Sequence, residues 1–465
     1  MTGHVDSGDF GLLSPQWAGS DVASATSDAA VLLAILDVEV ALVEAWQGLG
    51  LAPENAAATV RSALDGAGIE GPGIDVSALA AQSRAGGNPI IPLVKRLREA
   101  VAKGDEKVAT WVHRGATSQD VLDTALMLVA HRTLALIEAD LEAVATSLAA
   151  LAESHRSTLM VSRTLTQHGV PSTFGLKAAG WLDGVVAAAV RLREARAGLP
   201  VQWGGAGGTL ASFAVIAGPG TGLRIADALA DSLGLAPSTP WQTQRAPVTI
   251  LGDALAQASG ALGKIAVDVL ASARPELGEL GEPSEAGRGG SSAMPQKQNP
   301  VLSVLIHSSA QRAPGLAAEL HRSAVAVDER PDGAWHSEWS ALRELLRFVG
   351  GASELAAELA AGLVVHPEAM RRNLELSGPL VVGERLMIEL APLLGRERLQ
   401  ELVSAVVADP ERDLFGLLRA EPALAELGEG RLAAMLDPAG YVGESDAIID
   451  RVLARHAEFA AREGQ

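Results

Sequence analysis

The chain contains no cysteine. That excludes a disulfide framework, a thiolate metal site and a cysteine nucleophile, and it fits the reducing cytoplasm, where this chain is expected to reside. Aromatic residues make up only 3% of the 465 residues, with a single tyrosine, although hydrophobic residues reach 48%. An apolar fraction carried by Ala, Leu and Val favours helix over strand. Net positive charge is also missing: the formal charge is −19. A nucleic-acid partner needs the opposite surface, so none is expected. The overall field repels anions too, so an anion site must be assembled locally from Arg, Lys and helix ends. The longest uncharged stretch, Pro200 to Leu223, is broken by seven glycines and Pro219, and no membrane span is expected there. The start, MTGHVDSGDFGLLSPQ, lacks a basic segment followed by an apolar one, so no signal peptide is expected. There is no HExxH, no Cys/His cluster and no facial carboxylate set, and neither metal nor organic cofactor is implied.

Against this Ala/Leu background one stretch stands apart, GRGGSSAMPQKQNP, Gly287 to Pro300. Its glycines mark a loop with backbone freedom. Asn299 is a good N-cap and Pro300 a good first helical residue, so a helix is predicted through VLSVLIHSSAQ. Ser291, Ser292, Lys297 and Asn299 would then precede a helix N-terminus, whose free N–H groups favour anions. Hydroxyl, ammonium and helix start together fit a site that deprotonates a carbon beside a carboxylate. A plain Gly/Ser surface loop ahead of a capped helix is the alternative reading.

Elsewhere the periodicity is helical. Val31, Ile35, Val38 and Leu42 form one face. Asn88, in Gly87-Asn88-Pro89, is read either as part of a substrate-facing turn or as a simple helix start. Thr117 and Asp120 fit a capping box, so a long helix should begin at Thr117 or Ser118. Its stripe of Leu134, Ile137, Leu141, Val144, Leu148 and Leu151 should run to about His155, and a second stripe, Leu251 to Val269, repeats the pattern. Few charges interrupt either run, so other helices, from this subunit or its copies, should cover both. Met160 to Leu182 reads as a polar turn with Pro171 ahead of a helix. The carboxylates of DVEVAL and LREL read as solvated helix faces.

GSSAMPQKQNP resembles the signature loop of the fumarase/aspartase superfamily, GSSxMPxKxNP, with all eight fixed residues present between Gly290 and Pro300. HRGATSQDVLDTA resembles the first conserved region of that superfamily. The resemblance implies that Ser291 is the general base, that Lys297 and Asn299 hold substrate carboxylates, and that Thr117 and Ser118 bind one at a helix start. It also implies substrate contacts from Ser292, Gln167, Arg245, Arg330 and Asn88. His113 matches a histidine of the adenylosuccinate-lyase and carboxymuconate branches. Where fumarases carry a Thr-His pair this chain has Thr164-Leu165, and a histidine follows at His168. The proton carrier therefore stays open among Ser291, His168 and His113.

Within the superfamily, HxGATSQD, WGGAxGT, WxTQR and DGAWHSEW resemble the bacterial carboxymuconate-cycloisomerase branch. Arg114 stands where that branch has tryptophan, and Gln242 where it has histidine. The implied activity is lactonisation of 3-carboxy-cis,cis-muconate to 4-carboxymuconolactone, in the protocatechuate branch of the β-ketoadipate pathway. Another superfamily lyase, such as adenylosuccinate lyase, is the alternative, and a non-catalytic helical oligomer a third. The implied fold is all-α, a central bundle of long helices over residues 113–361 between helical domains at 1–112 and 362–465. The implied assembly is a homotetramer with shared active sites acting on a small polycarboxylate.

Overall fold

Ala-rich segments with little aromatic content can bury their faces only by packing helix on helix. The computed structural model is accordingly built of helices, with two small two-stranded sheets among the described residues. The structure describes residues 9–65, 74–285, 287–290, 294, 296–409 and 412–461.

Helix α1 spans Asp28–Gly48 and is capped by Ser27, whose hydroxyl accepts from Ala30 N at 3.1 Å. Ile35, Val38 and Leu42 are buried along it, and so is Glu39. Helix α2 spans Ile90–Ala102. Helix α3, Ser118–Ser154, begins where the capping box places it, and Leu134, Ile137, Leu141, Val144 and Leu148 are fully buried. The other long helices are α4 (Phe174–Ala197), α5 (Ala246–Ser272), α6 (Val301–Ser323) and α7 (Ala334–Ala361). On α5 the second stripe is buried from Leu251 to Val269. Among the described residues α5 is the one helix long and apolar enough to cross a membrane, and half of its apolar window is buried inside the protein.

The segment expected as a polar turn is instead a hairpin, strand β1 (Leu159–Thr164) antiparallel to strand β2 (Gln167–Thr173). Thr164 faces Gln167 across a two-residue loop, Leu165-Thr166, with φ of 49° and 72°. Two successive positive φ values match the strand twist. Neither residue is a glycine or asparagine, so the usual hairpin signal is absent.

The chain divides into two compact units. One comprises Met1–Asp140, Ala188–Gly263 and Leu305–Leu355; the other comprises Leu141–Ala187, Lys264–Val304 and Ala356–Gln465. In the second, short helices between Pro367 and Leu436 close over Leu374, Val382, Leu386, Leu390, Leu399 and Leu418, with Val161 of β1 in the same core.

Candidate active site

In the first unit the candidate residues gather at the start of α3. Asp120 is buried and accepts from Thr117 N (3.0 Å), Gly204 N (2.8 Å), Gly205 N (3.0 Å) and Gln202 Nε2 (3.3 Å). Burial pushes this carboxyl up to about 6 against those four donors. The contacts bind the glycine-rich segment to the helix start. A Cβ at Gly204 would lie 2.5 Å from Gln242 Oε1, so a larger residue there would have to displace the Gln242 side chain.

Arg330, exposed, donates to Thr117 Oγ1 at 2.7 Å and to Ala206 O at 3.3 Å. A guanidinium beside a helix N-terminus adds positive charge to the positive dipole end, a pairing that an anion would relieve. Ser118 lines a cavity of about 430 Å³ with Ile90, Val94, Lys95, Arg98 and His113. His113, at φ 56°, places Nδ1 2.6 Å from Glu39 Oε1. The DVEVAL carboxylates were expected on a solvated face, yet Glu39 is fully buried. Its position offered the signal: it lies four residues after Ile35 and three before Leu42, inside the apolar stripe.

Two expected substrate contacts are engaged by the protein itself. Arg245 is buried, and its guanidinium bonds to Asp123 at 2.7 and 3.1 Å, to Gln242 O at 3.2 Å and to Glu338. Trp335 Nε1 adds a bond to Asp123 at 2.7 Å. All three guanidinium nitrogens are spent internally, so Arg245 serves here as a core anchor rather than an exposed anion donor. Asn88 bridges its own turn, accepting from Ile90 N at 3.1 Å and donating to Gly86 O at 3.2 Å.

In the second unit, His168 pairs across the hairpin with Arg163 and lies 2.7 Å from Ser377 Oγ through Nδ1. Burial and the neighbouring Arg163 hold its imidazole below the ordinary value, while Glu279 pulls the other way. Arg163 is held by both oxygens of Glu279 at 2.7 and 2.9 Å. His168 lines a cavity of about 690 Å³ with Thr166, Lys177, Lys264 and Arg274. Gln167 is exposed at the hairpin turn.

The signature loop also belongs to this unit. Gly290 pairs with Gln298, and Asn299 N and Nδ2 both donate to Gly289 O, at 2.9 and 3.0 Å. Gly289 sits at φ 70°, and a Cβ there would meet Asn299 O at 2.5 Å. Asn299 therefore does not cap α6. Glu282 does, accepting from Leu302 N (3.0 Å), Ser303 N (2.7 Å) and Ser303 Oγ (2.6 Å). Lys297 is exposed. Ser291 and Ser292 lie outside the described residues.

The helical architecture and the signature loop define an enzyme of the lyase class. The chain belongs to the fumarase/aspartase superfamily: residues 17–315 match the family described as lyase, and residues 379–452 the adenylosuccinate lyase C-terminus. It is 47% identical to the nitrosuccinate lyase of Streptomyces davaonensis over 96% of this chain and 94% of that one. It is 42% identical to the 3-carboxy-cis,cis-muconate cycloisomerase of Pseudomonas aeruginosa, covering 92% and 93% of the two chains. The crystal structure of the 3-carboxy-cis,cis-muconate lactonizing enzyme from Pseudomonas putida superposes with a TM-score of 0.87 at 36% identity, covering 97% of this chain and all of that one.

Proposed function

We propose that this enzyme makes or breaks a bond on the carbon next to a carboxylate-activated C–H, with a stable anion as the other partner. The observation that carries the reading is Leu165. It stands 95% exposed at the tip of the β1–β2 hairpin, at the position to which the superfamily resemblance assigns the histidine of a Thr-His pair. A leaving group that departs as a stable anion has little need of general-acid help, unlike hydroxide. Ser291 is the proposed base, with His168 and His113 as the other proton carriers to be tested. Lys297, Asn299, Ser292, Thr117, Ser118 and Arg330 are the proposed carboxylate ligands, and Gln167 a further contact. Stabilisation of the aci-carboxylate dianion by such donors is the dominant catalytic contribution, worth about 10²–10³ in rate per well-placed donor.

The first substrate proposed is 3-carboxy-cis,cis-muconate, supported by the four sequence blocks shared with the cycloisomerase branch and by relatives at 42% and 39% identity. A substrate carboxylate oxygen adds to the conjugated diene, and the aci-carboxylate so formed takes a proton on carbon. The second reading is nitrosuccinate elimination, favoured by the relative at 47% identity and by the departures at Arg114 and Gln242. There the α C–H pair becomes the new double bond, and nitrite leaves with the C–N pair to give fumarate. One parallel assay separates them. Loss of diene absorbance with 3-carboxymuconate selects the first, and nitrite release from nitrosuccinate the second. Turnover of adenylosuccinate alone would overturn both.

We further propose a cytoplasmic homotetramer with active sites shared between subunits, and a division into three helical domains at 112/113 and 361/362. Exposed apolar residues on the long helices, Ile250 and Val267 of α5 and Val304 of α6, support burial against other copies. Sedimentation of a monomer at micromolar concentration would count against the assembly.

A further inference from the structure

The loop carrying His113 is held from several directions. Arg98 of α2 donates twice to Val112 O, at 3.2 and 2.9 Å. Trp46 Nε1 of α1 donates to Arg114 O at 3.1 Å. Glu39 and Trp46 lie seven residues apart on α1, two turns along one face, so one helix reaches both the side chain of His113 and the carbonyl that follows it. His113 itself has φ of 56°, a backbone state that persists only where its surroundings hold it.

Glu39 is fully buried, and its Oε1 lies 2.6 Å from His113 Nδ1 while its Oε2 has no hydrogen-bond partner among the described residues. A buried carboxylate with one polar partner is costly, so structure alone is a poor reason to keep it. With Nδ1 taken by Glu39, Nε2 is the ring nitrogen left for the cavity that His113 lines beside Ser118 and Lys95.

We propose that Glu39 is a positioning residue: its carboxylate holds His113 in the Nδ1–H form and in one ring orientation, presenting Nε2 to the substrate at the start of α3. This rests on the lyase reading above, in that substrate is taken to reach that cavity. Glu39 touches no substrate and acts only through His113.

The test uses the full-length protein and the variants Glu39→Gln, His113→Gln and the double substitution. Long-range ¹H–¹⁵N spectra of labelled protein should show His113 protonated on Nδ1 in wild type, and lose that preference in Glu39→Gln. An unchanged tautomer would overturn the proposal, and this readout stands even if neither proposed substrate is turned over. In the assay that reports activity, Glu39→Gln should lower kcat about 10²-fold, within the range for acid–base groups, with KM within about threefold. Added to His113→Gln, it should cause no further loss. Losses that multiply in the double variant, or a rise in KM alone, would overturn it by making Glu39 a packing residue or a residue of uniform binding.

Discussion

Glu282 and Ser303 are joined twice at the start of α6, the carboxylate accepting from Ser303 N at 2.7 Å and from Ser303 Oγ at 2.6 Å. The N-terminus following the signature loop thus already holds an anion, supplied by the protein. Replacing Glu282 by alanine frees two amides, and stability should fall by about 1–2 kcal/mol. Urea unfolding of wild type and variant measures the difference; an equal midpoint would show that water replaces the cap without loss.

Arg330 is exposed and its hydrogen bonds among the described residues go to Thr117 Oγ1 and Ala206 O, so its removal should affect the reaction more than the fold. Arg330→Ala is expected to lower kcat/KM about 10²-fold or more while leaving the thermal midpoint nearly unchanged. Steady-state kinetics beside a melting curve checks both halves.

Arg245→Ala should behave in the opposite way. It strands the buried Asp123 carboxylate and removes the guanidinium bonded to Glu338, and a loss of about 3–5 kcal/mol is expected. A variant of normal stability with raised KM would return Arg245 to the substrate.

Ser291→Ala is expected to lower turnover about 10²–10⁴-fold, with the helical circular-dichroism spectrum and subunit association retained. Near-normal rates would move the proton step to His168 or His113.

Burial pushes the Glu338 carboxyl up to about 7, despite Arg245 beside it. Folding therefore takes up a proton at this site between about pH 4.5, the ordinary value of the group, and about pH 7. The contribution to stability is fully present below that window and is lost as pH rises through it. Burial holds His131, His155 and His168 below the ordinary histidine value, and they act in the reverse direction. The measurable quantity is thus the difference between wild type and Glu338→Gln. The wild type should lose stability relative to the variant, on the order of 1–3 kcal/mol, between pH 5 and pH 8.

The amino-acid sequence by itself determined the helical class, the start of α3 and the two long buried stripes, because periodic apolar spacing is a local property that any packing partner must respect. It also determined the superfamily, through a loop whose eight fixed residues fall within eleven positions. What only the tertiary structure decided were partners far apart in the chain. Arg245 belongs to Asp123 and Glu338, the N-terminus of α6 to Glu282, and His113 to Glu39. A carboxylate among apolar neighbours reads as a solvated face until a helix arrives to cover it. The β1–β2 hairpin escaped for a related reason: its turn is held by pairing between strands rather than by the turn residues' own preference.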